Sequence, residues 1–167
     1  MVFFSAGKGG GEEVDYGYKG KGVTTHTLVD THGSPLAVVS TGASGDERKE
    51  VRPLLNKVES WVKSLIHRGI VPIFEADKGY DSREVRIEVL ARKIFPWIPY
   101  RGKRGENQGV VYLEKMRWKV ERGISWLQRK YRRLVVRWER RKKYWEGFLN
   151  FALIFFWIER LQRLGCC

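Results

Sequence analysis

Glu75-Ala76-Asp77-Lys78-Gly79-Tyr80-Asp81-Ser82 is the stretch on which the reading of this fold turns. The apolar run Ile70-Val71-Pro72-Ile73-Phe74 precedes it, so residues 71–75 are predicted to form a strand running into Asp77. Ser82 then caps a predicted helix reaching Lys93, with Val85, Ile87, Val89 and Leu90 as its apolar stripe. An acid at the carboxyl end of a buried strand, followed by a glycine turn and a helix start, is where α/β folds place their chemistry. Acids before Lys-Gly also build plain turns, so position alone leaves both roles open for Asp77.

Upstream, Ser44-Gly45-Asp46-Glu47 opens a helix whose acids suit its dipole. Its stripe is Val51, Leu54, Leu55, Val58, Trp61, Val62 and Leu65, dented by Pro53 and ended by Gly69. Further upstream, Val23 to Val29 alternates and is rich in β-branched residues, Asp30 to Ser34 is a turn, and Pro35 to Ser40 is a second strand. Together they predict a β-hairpin, with Asp30 and His32 as turn formers and His26 as a packed or half-exposed strand residue rather than a ligand. Residues 1–22 are Gly-rich. Gly7-Lys8-Gly9-Gly10-Gly11 lacks the Ser or Thr and the helix that a phosphate-cradling loop needs after its Lys, so it reads as a flexible basic loop.

Downstream, Phe95 to Pro99 is a short strand, placed at an edge by its prolines. Arg101 to Gly105 is a basic loop. Residues 111–130 are helical, with Met116, Val120, Ile124 and Leu127 on one face, and a long final helix covers about 142–164. Its apolar run Phe148 to Ile158 holds Asn150 and falls short of the roughly 20 residues of a membrane span, so it reads as a buried core helix. The order β-β-α-β-α-β-α-α predicts an α/β fold with a mixed sheet.

A chain of 167 residues with 43% hydrophobic content is expected to form one domain, with or without a small appendage, around a proper core. Its net charge of +13 and pI near 10 point to a polyanionic partner, against the plainer reading of a solvated basic surface. A membrane surface fits less well, since no isolated basic amphipathic helix stands out. Cys166 and Cys167, adjacent at the end, make neither a zinc site nor a disulfide framework and suit a reducing cytoplasm. No secretory leader is expected, Met1 to Ser5 being too short for one.

Glu121 is a second acid of interest, although a glutamate on a basic helix ordinarily pairs with a lysine one turn away. Hard divalent cations prefer carboxylate oxygens, and two-metal phosphoryl transfer needs several of them. Around Asp77 and Glu121 the sequence resembles bacterial insertion-sequence DDE transposases. The resemblance rests on Glu75 to Ser82, on Arg117-Trp118-Lys119-Val120-Glu121-Arg122 with Trp126-Leu127, on Tyr131 to Leu134, and on Arg137-Trp138-Glu139-Arg140. Lys19 to Ala37 and the Phe148 to Leu161 tail resemble the same family, so it covers nearly the whole chain.

The resemblance implies an RNase H-like mixed sheet flanked by helices, with a long C-terminal helical region. Residues 1–22 would form a Gly-rich approach, 23–100 the sheet core, and 111–164 the helices carrying the third acid. It implies three acids, Asp, Asp and Glu, holding two Mg²⁺ (or Mn²⁺) ions for DNA cleavage and strand transfer. By match, Asp77 is the second acid and Glu121 the third. The family's Arg one turn before the third acid is Arg117, its Tyr two turns before is replaced by Glu114, and its Lys two turns after by Gln128, with Arg129 and Lys130 as stand-ins. Arg101, Lys103, Arg104, Arg117, Arg129, Lys130, Arg132 and Arg133 are the expected DNA contacts, within a wider set of basic segments that includes Arg137 to Lys143. Trp118, Trp126, Trp138 and Trp145 are interleaved with them and expected to be mostly core, with at most one stacking on a base.

The first acid is expected to be missing. Met1 stands where relatives carry it in an Asp-Gly-Ser-type stretch, Asp15 lies beyond the glycines, and Asp30 is in the hairpin turn. Most of the first strand is then expected to be absent, leaving Val23–Val29 and Val71–Glu75 without a shared neighbour. Asp-Gly codons can hold an ATG one base out of frame, so a frameshifted gene would explain the start. The expected partners are transposon-end and target DNA with a second copy or a complementing N-terminal fragment, in the bacterial cytoplasm and without a membrane. The alternative is a DNA-binding remnant or partner subunit without its own catalysis. A Holliday-junction resolvase is disfavoured by the Arg117 to Arg140 block.

Overall fold

The computed structural model describes residues 2–101 and 110–165, with the backbone alone at 110–117 and 119. Two compact units are present, Met1–Gly45 with Val120–Cys167, and Asp46–Lys119.

The first unit is built on β3 (Gly20–Val29), whose β-branched residues favour an extended chain. β4 (Pro35–Gly42) pairs with it antiparallel. The turn between them is closed by Asp30, whose Oδ1 accepts from the His32 and Ser34 amides at 2.8 Å each. The hairpin and the turn-forming Asp30 are as predicted, and of the two placements open to His26 the structure has it buried.

On the other side of β3 lies β1 (Val2–Ala6), antiparallel from Val2 opposite His26 to Ala6 opposite Gly22. β2 (Asp15–Gly17) continues the β4 side, opposite Gly20–Gly22. Val23–Val29 therefore has a strand beside it, which corrects that half of the expectation, while no strand shared with residues 71–75 is present among the described residues. Five residues suffice because they alternate: Phe3 enters the core and Ser5 donates to the Leu134 carbonyl at 2.6 Å.

The Gly-rich stretch is not a free loop either. The Gly9 amide donates to Arg137 O at 3.4 Å and the Glu12 amide to Arg140 O at 2.8 Å. Gly11, at φ +106°, sits where a Cβ would lie 2.2 Å from Arg140 O, so only glycine allows this backbone approach.

Phe3, Val23 and Val38 of the sheet pack with Ile124 and Leu127 of α4 (Val110–Lys130), Leu134, and Trp145, Leu149 and Ala152 of α5 (Lys142–Arg163). The run Phe148 to Ile158 is not wholly buried, because a helix presses only one stripe against a sheet; Phe148, Phe151, Ile154, Phe155 and Ile158 are exposed. Of the four interleaved tryptophans only Trp145 is core; Trp118, Trp126 and Trp138 are exposed.

In the second unit the predicted upstream helix starts later and is broken at Val58, giving α1 (Val51–Lys57) and α2 (Glu59–His67). Pro53 lies in the first turn of α1, where its missing N–H leaves no helical bond unmade. β5 (Ile73–Glu75) and β6 (Phe95–Trp97) pair in parallel, linked through α3 (Arg83–Ala91). Ser82 caps α3 by accepting the Val85 amide at 3.2 Å. Val85 and Val89 are buried with Leu54, Leu55, Ile94 and Ile98, but Ile87 and Leu90 are exposed. The α/β class holds, with an antiparallel four-stranded sheet and a parallel pair as separate sheets rather than one mixed sheet among the described residues.

Candidate functional site

Asp77 follows the last residue of β5 by two positions and is exposed. It caps a 3₁₀ turn over Lys78–Tyr80, its Oδ1 accepting the Gly79 amide at 2.7 Å. Both readings of the sequence meet here, since the acid builds the turn and is open to solvent.

The turn is anchored on two sides. Tyr80 is buried and donates its hydroxyl to Glu47 Oε2 at 2.9 Å. Burial, with the Glu47 and Asp77 carboxylates nearby, pushes the Tyr80 phenol well up, so it stays a donor. Asp81 accepts from the Arg86 guanidinium at 2.8 and 3.0 Å and from the Arg101 amide at 2.8 Å. Burial pushes the Asp81 carboxyl up, but these bonds outweigh it and hold the group below the usual range. Arg86 also donates to Ile98 O at 2.7 Å, and Arg101 Nε to Lys78 O at 3.2 Å. Arg101, expected on DNA, is thus exposed and tied to the turn that carries Asp77.

Glu75 was not singled out from the sequence. It is half-buried, its Oε1 is buried with no hydrogen-bond partner among the described residues, and burial raises its carboxyl. Its position two residues before Asp77, on the same side of an extended chain, was the available signal.

In the first unit Glu121 is exposed on α4, three residues before buried Ile124. Arg122 stacks over the Trp126 ring at 4.7 Å and donates to His32 O at 3.4 Å. Among the basic residues expected on DNA, Arg129 and Arg132 are exposed. Lys130 is ion-paired with Glu159, and Arg133 holds Glu139 Oε1 at 2.7 and 2.9 Å beneath the Phe148 ring. Lys103, Arg104 and the side chain of Arg117 lie outside the described residues.

The basic segment from Arg137 requires a correction. Arg137 is fully buried, donates Nε to Glu139 O at 2.8 Å, and leaves both terminal nitrogens without a partner among the described residues. Burial lowers its pKa. The segment 134–142 runs along the N-terminal residues, through Ser5 to Leu134 O, Arg137 N to Ala6 O at 2.8 Å, and Lys142 N to Glu12 Oε2 at 2.7 Å. The backbone of this segment therefore holds the N-terminal residues in place, while Arg140, Arg141 and Lys143 are exposed.

Carboxylate oxygens are the right donors for Mg²⁺ or Mn²⁺, and the orphaned Glu75 oxygen is a suitable one. No group of three or more His, Cys, Asp or Glu side chains able to hold a metal is present among the described residues. The described residues do not fit a complete metal site.

Residues 4–114 match the family model of the transposase DDE domain, a span that holds Asp77 and stops before Glu121. The chain is 34% identical over 143 residues to a protein of Burkholderia cepacia named as the transposase for insertion sequence element IS402. That match covers 85% of this chain and 59% of the relative, so the chain spans less than two thirds of the relative's length. No solved structure matches. No helix among the described residues is long and apolar enough to cross a membrane. With the family matched over most of its length, the chain belongs to the transposase DDE domain family, among the insertion-sequence DDE transposases.

Proposed function

We propose that this chain is catalytic-domain sequence of a DNA transposase, acting in metal-dependent cleavage and strand transfer of an insertion sequence. Asp77 and Glu121 supply carboxylates to Mg²⁺ or Mn²⁺. The observation that carries the reading is Asp77 itself. It lies inside the family match, exposed at the end of a strand, on a turn anchored through Tyr80 and Asp81. The fold is of the RNase H-like type, for which the antiparallel strands β1, β3 and β4 and the parallel pair β5–β6 with its helical crossover are the support. DNA phosphates are met first by Arg101, Arg129 and Arg132, with Lys103, Arg104 and Arg117 added by the resemblance. Lys130 and Arg133 contribute less, being engaged with Glu159 and Glu139.

A second reading, DNA binding without cleavage, is favoured by one set of contacts. Glu12 accepts the Lys142 amide, Glu13 pairs with Lys142 Nζ, Asp15 accepts from Ser44, and Asp30 closes the hairpin. Each of these N-terminal acids is engaged with residues of its own unit; on this reading the chain binds DNA, and cleavage takes a complementing polypeptide that carries the family's first aspartate.

The test is nicking of supercoiled plasmid in Mg²⁺ or Mn²⁺, with and without that second polypeptide. Little cleavage is expected from the chain alone, and cleavage lost on Asp77→Ala or Glu121→Ala is expected from the mixture. Nicking by the chain alone that survives Asp77→Ala overturns the assignment. DNA affinity is expected to fall steeply with salt, and a flat response overturns the phosphate contacts.

A further inference from the structure

The peptide group between Lys78 and Gly79 is bonded at both ends. Its N–H, the Gly79 amide, donates to Asp77 Oδ1 at 2.7 Å. Its carbonyl, Lys78 O, accepts from Arg101 Nε at 3.2 Å and from the Asp81 amide at 3.3 Å. A trans peptide is planar, so its C=O and N–H point opposite ways and turn together. Whatever fixes the Lys78 oxygen therefore fixes the direction in which the Gly79 N–H meets the Asp77 carboxylate. A donor on the carbonyl also strengthens the N–H as a donor. Glycine at 79 belongs to this arrangement, since a Cβ there would stand 2.8 Å from Asp77 Oδ1.

Arg101 is placed to hold that oxygen. Its own amide donates to Asp81 Oδ2 at 2.8 Å. Three residues earlier, Ile98 O accepts from the Arg86 guanidinium at 2.7 Å, and that guanidinium also lies 4.1 Å from the Tyr100 ring. The main chain under Arg101 is thus tied down at 98 and at 101, while Arg101 itself is exposed. A guanidinium carries its N–H donors in a planar fork. Nε serves Lys78 O, and the terminal nitrogens have the geometry that grips a phosphate with two parallel bonds. An ammonium is a point charge and does not fix two partners in one plane.

We propose that Arg101 is a positioning residue for Asp77: a backbone phosphate bound on its terminal nitrogens sets the Asp77 carboxylate through the peptide group of Lys78 and Gly79. The link rests on the function proposed above, in which Arg101 meets DNA and Asp77 meets a cation, and joins the two. With phosphate bound, the guanidinium is held from both sides, Lys78 O stays on Nε, and the Gly79 N–H stays on Asp77. Without it the exposed side chain swings away, and the peptide group keeps only the Asp81 amide on its oxygen. The cation ligand is therefore set when the nucleic-acid backbone is in place.

The Gly79 amide reports the bond to Asp77 directly, so the test is its hydrogen exchange in the full chain, read by NMR, with and without a saturating short DNA duplex. The duplex is expected to slow Gly79 exchange about tenfold and to leave the Val89 amide of α3 unchanged. Arg101→Lys is expected to keep duplex affinity within about threefold, with the same salt dependence, and to lose the slowing. Arg101→Gln is expected to lose the slowing too, and to lower the slope of log affinity against log salt by about 0.9. Far-UV circular dichroism checks the fold of each variant. A duplex that binds and leaves Gly79 unchanged, or slows it equally in Arg101→Lys, overturns the link and leaves the DNA reading standing. Where the duplex does not bind, inorganic pyrophosphate decides. Slowing by pyrophosphate in the wild type but not in Arg101→Lys keeps the link and overturns the DNA reading, and any other response overturns both.

Discussion

Gly123→Ala and Gly147→Ala are expected to move stability in opposite directions, although both replace a helical glycine. At Gly123, in α4, a Cβ would stand 2.1 Å from the Gly33 carbonyl oxygen and 3.3 Å from its carbon. That carbonyl belongs to the hairpin turn, held by Gly33 N to Asp30 O at 3.0 Å and by the two amides on Asp30 Oδ1. It cannot yield without breaking the turn. Overpacking of this kind costs about 1–3 kcal/mol, against about 1 kcal/mol gained from helix propensity. The net loss should reach up to about 2 kcal/mol. At Gly147, in α5, nothing lies within 4 Å of the added carbon. Only the propensity gain remains, about 0.5–1 kcal/mol. Urea unfolding followed by circular dichroism, at one fixed protein concentration because association also shifts stability, should separate the variants by the overpacking cost, about 1–3 kcal/mol, since the propensity gain is common to both. Equal stabilisation by both would refute the close packing of α4 on the hairpin. Since Glu121 lies two residues before Gly123, it would also remove the reason for thinking that this helix is held in a fixed place.

Trp145 is the largest side chain fully buried in the first unit, and Trp145→Ala is expected to cost about 3–5 kcal/mol, enough to abolish its cooperative melt; a retained sharp transition would contradict that placement. His26 is buried, and burial lowers its pKa to about 4 from an unfolded value of 6.5. The unfolded chain therefore binds the proton first, so stability should be constant above pH 6.5 and decline between pH 6.5 and 4, by about 3 kcal/mol in all. His26→Asn should flatten that slope, and an unchanged slope would place its origin elsewhere. Arg86→Met removes the guanidinium from Asp81 and Ile98 O, at a cost of about 2–3 kcal/mol. Hydrogen exchange at the Gly79 and Tyr80 amides should quicken, whereas unchanged protection would mean that Arg86 does not support the Asp77 turn.

Much of this protein is determined by residues close together in the chain. The β3–β4 hairpin needs only the alternation of Val23 to Val29 and an Asp able to close its own turn. The α3 cap needs only Ser82 and the Val85 amide, and the Asp77 turn only a carboxylate two residues before Gly79. These are local bonds, and they were legible for that reason. The pairing of β1 with β3, the seating of Gly9 and Glu12 on 137–140, and the burial of Arg137 were not legible. Glycine reads locally as looseness, while here it lets two distant backbones touch; arginine reads as surface charge, while here Arg137 is fully buried. The same holds for α5 and for Glu75. The sequence shows an apolar helix and an acid at a strand end, but which side of each is covered depends on residues far away in the chain. Only the assembled tertiary structure decides that, because burial belongs to the packing partner as much as to the residue.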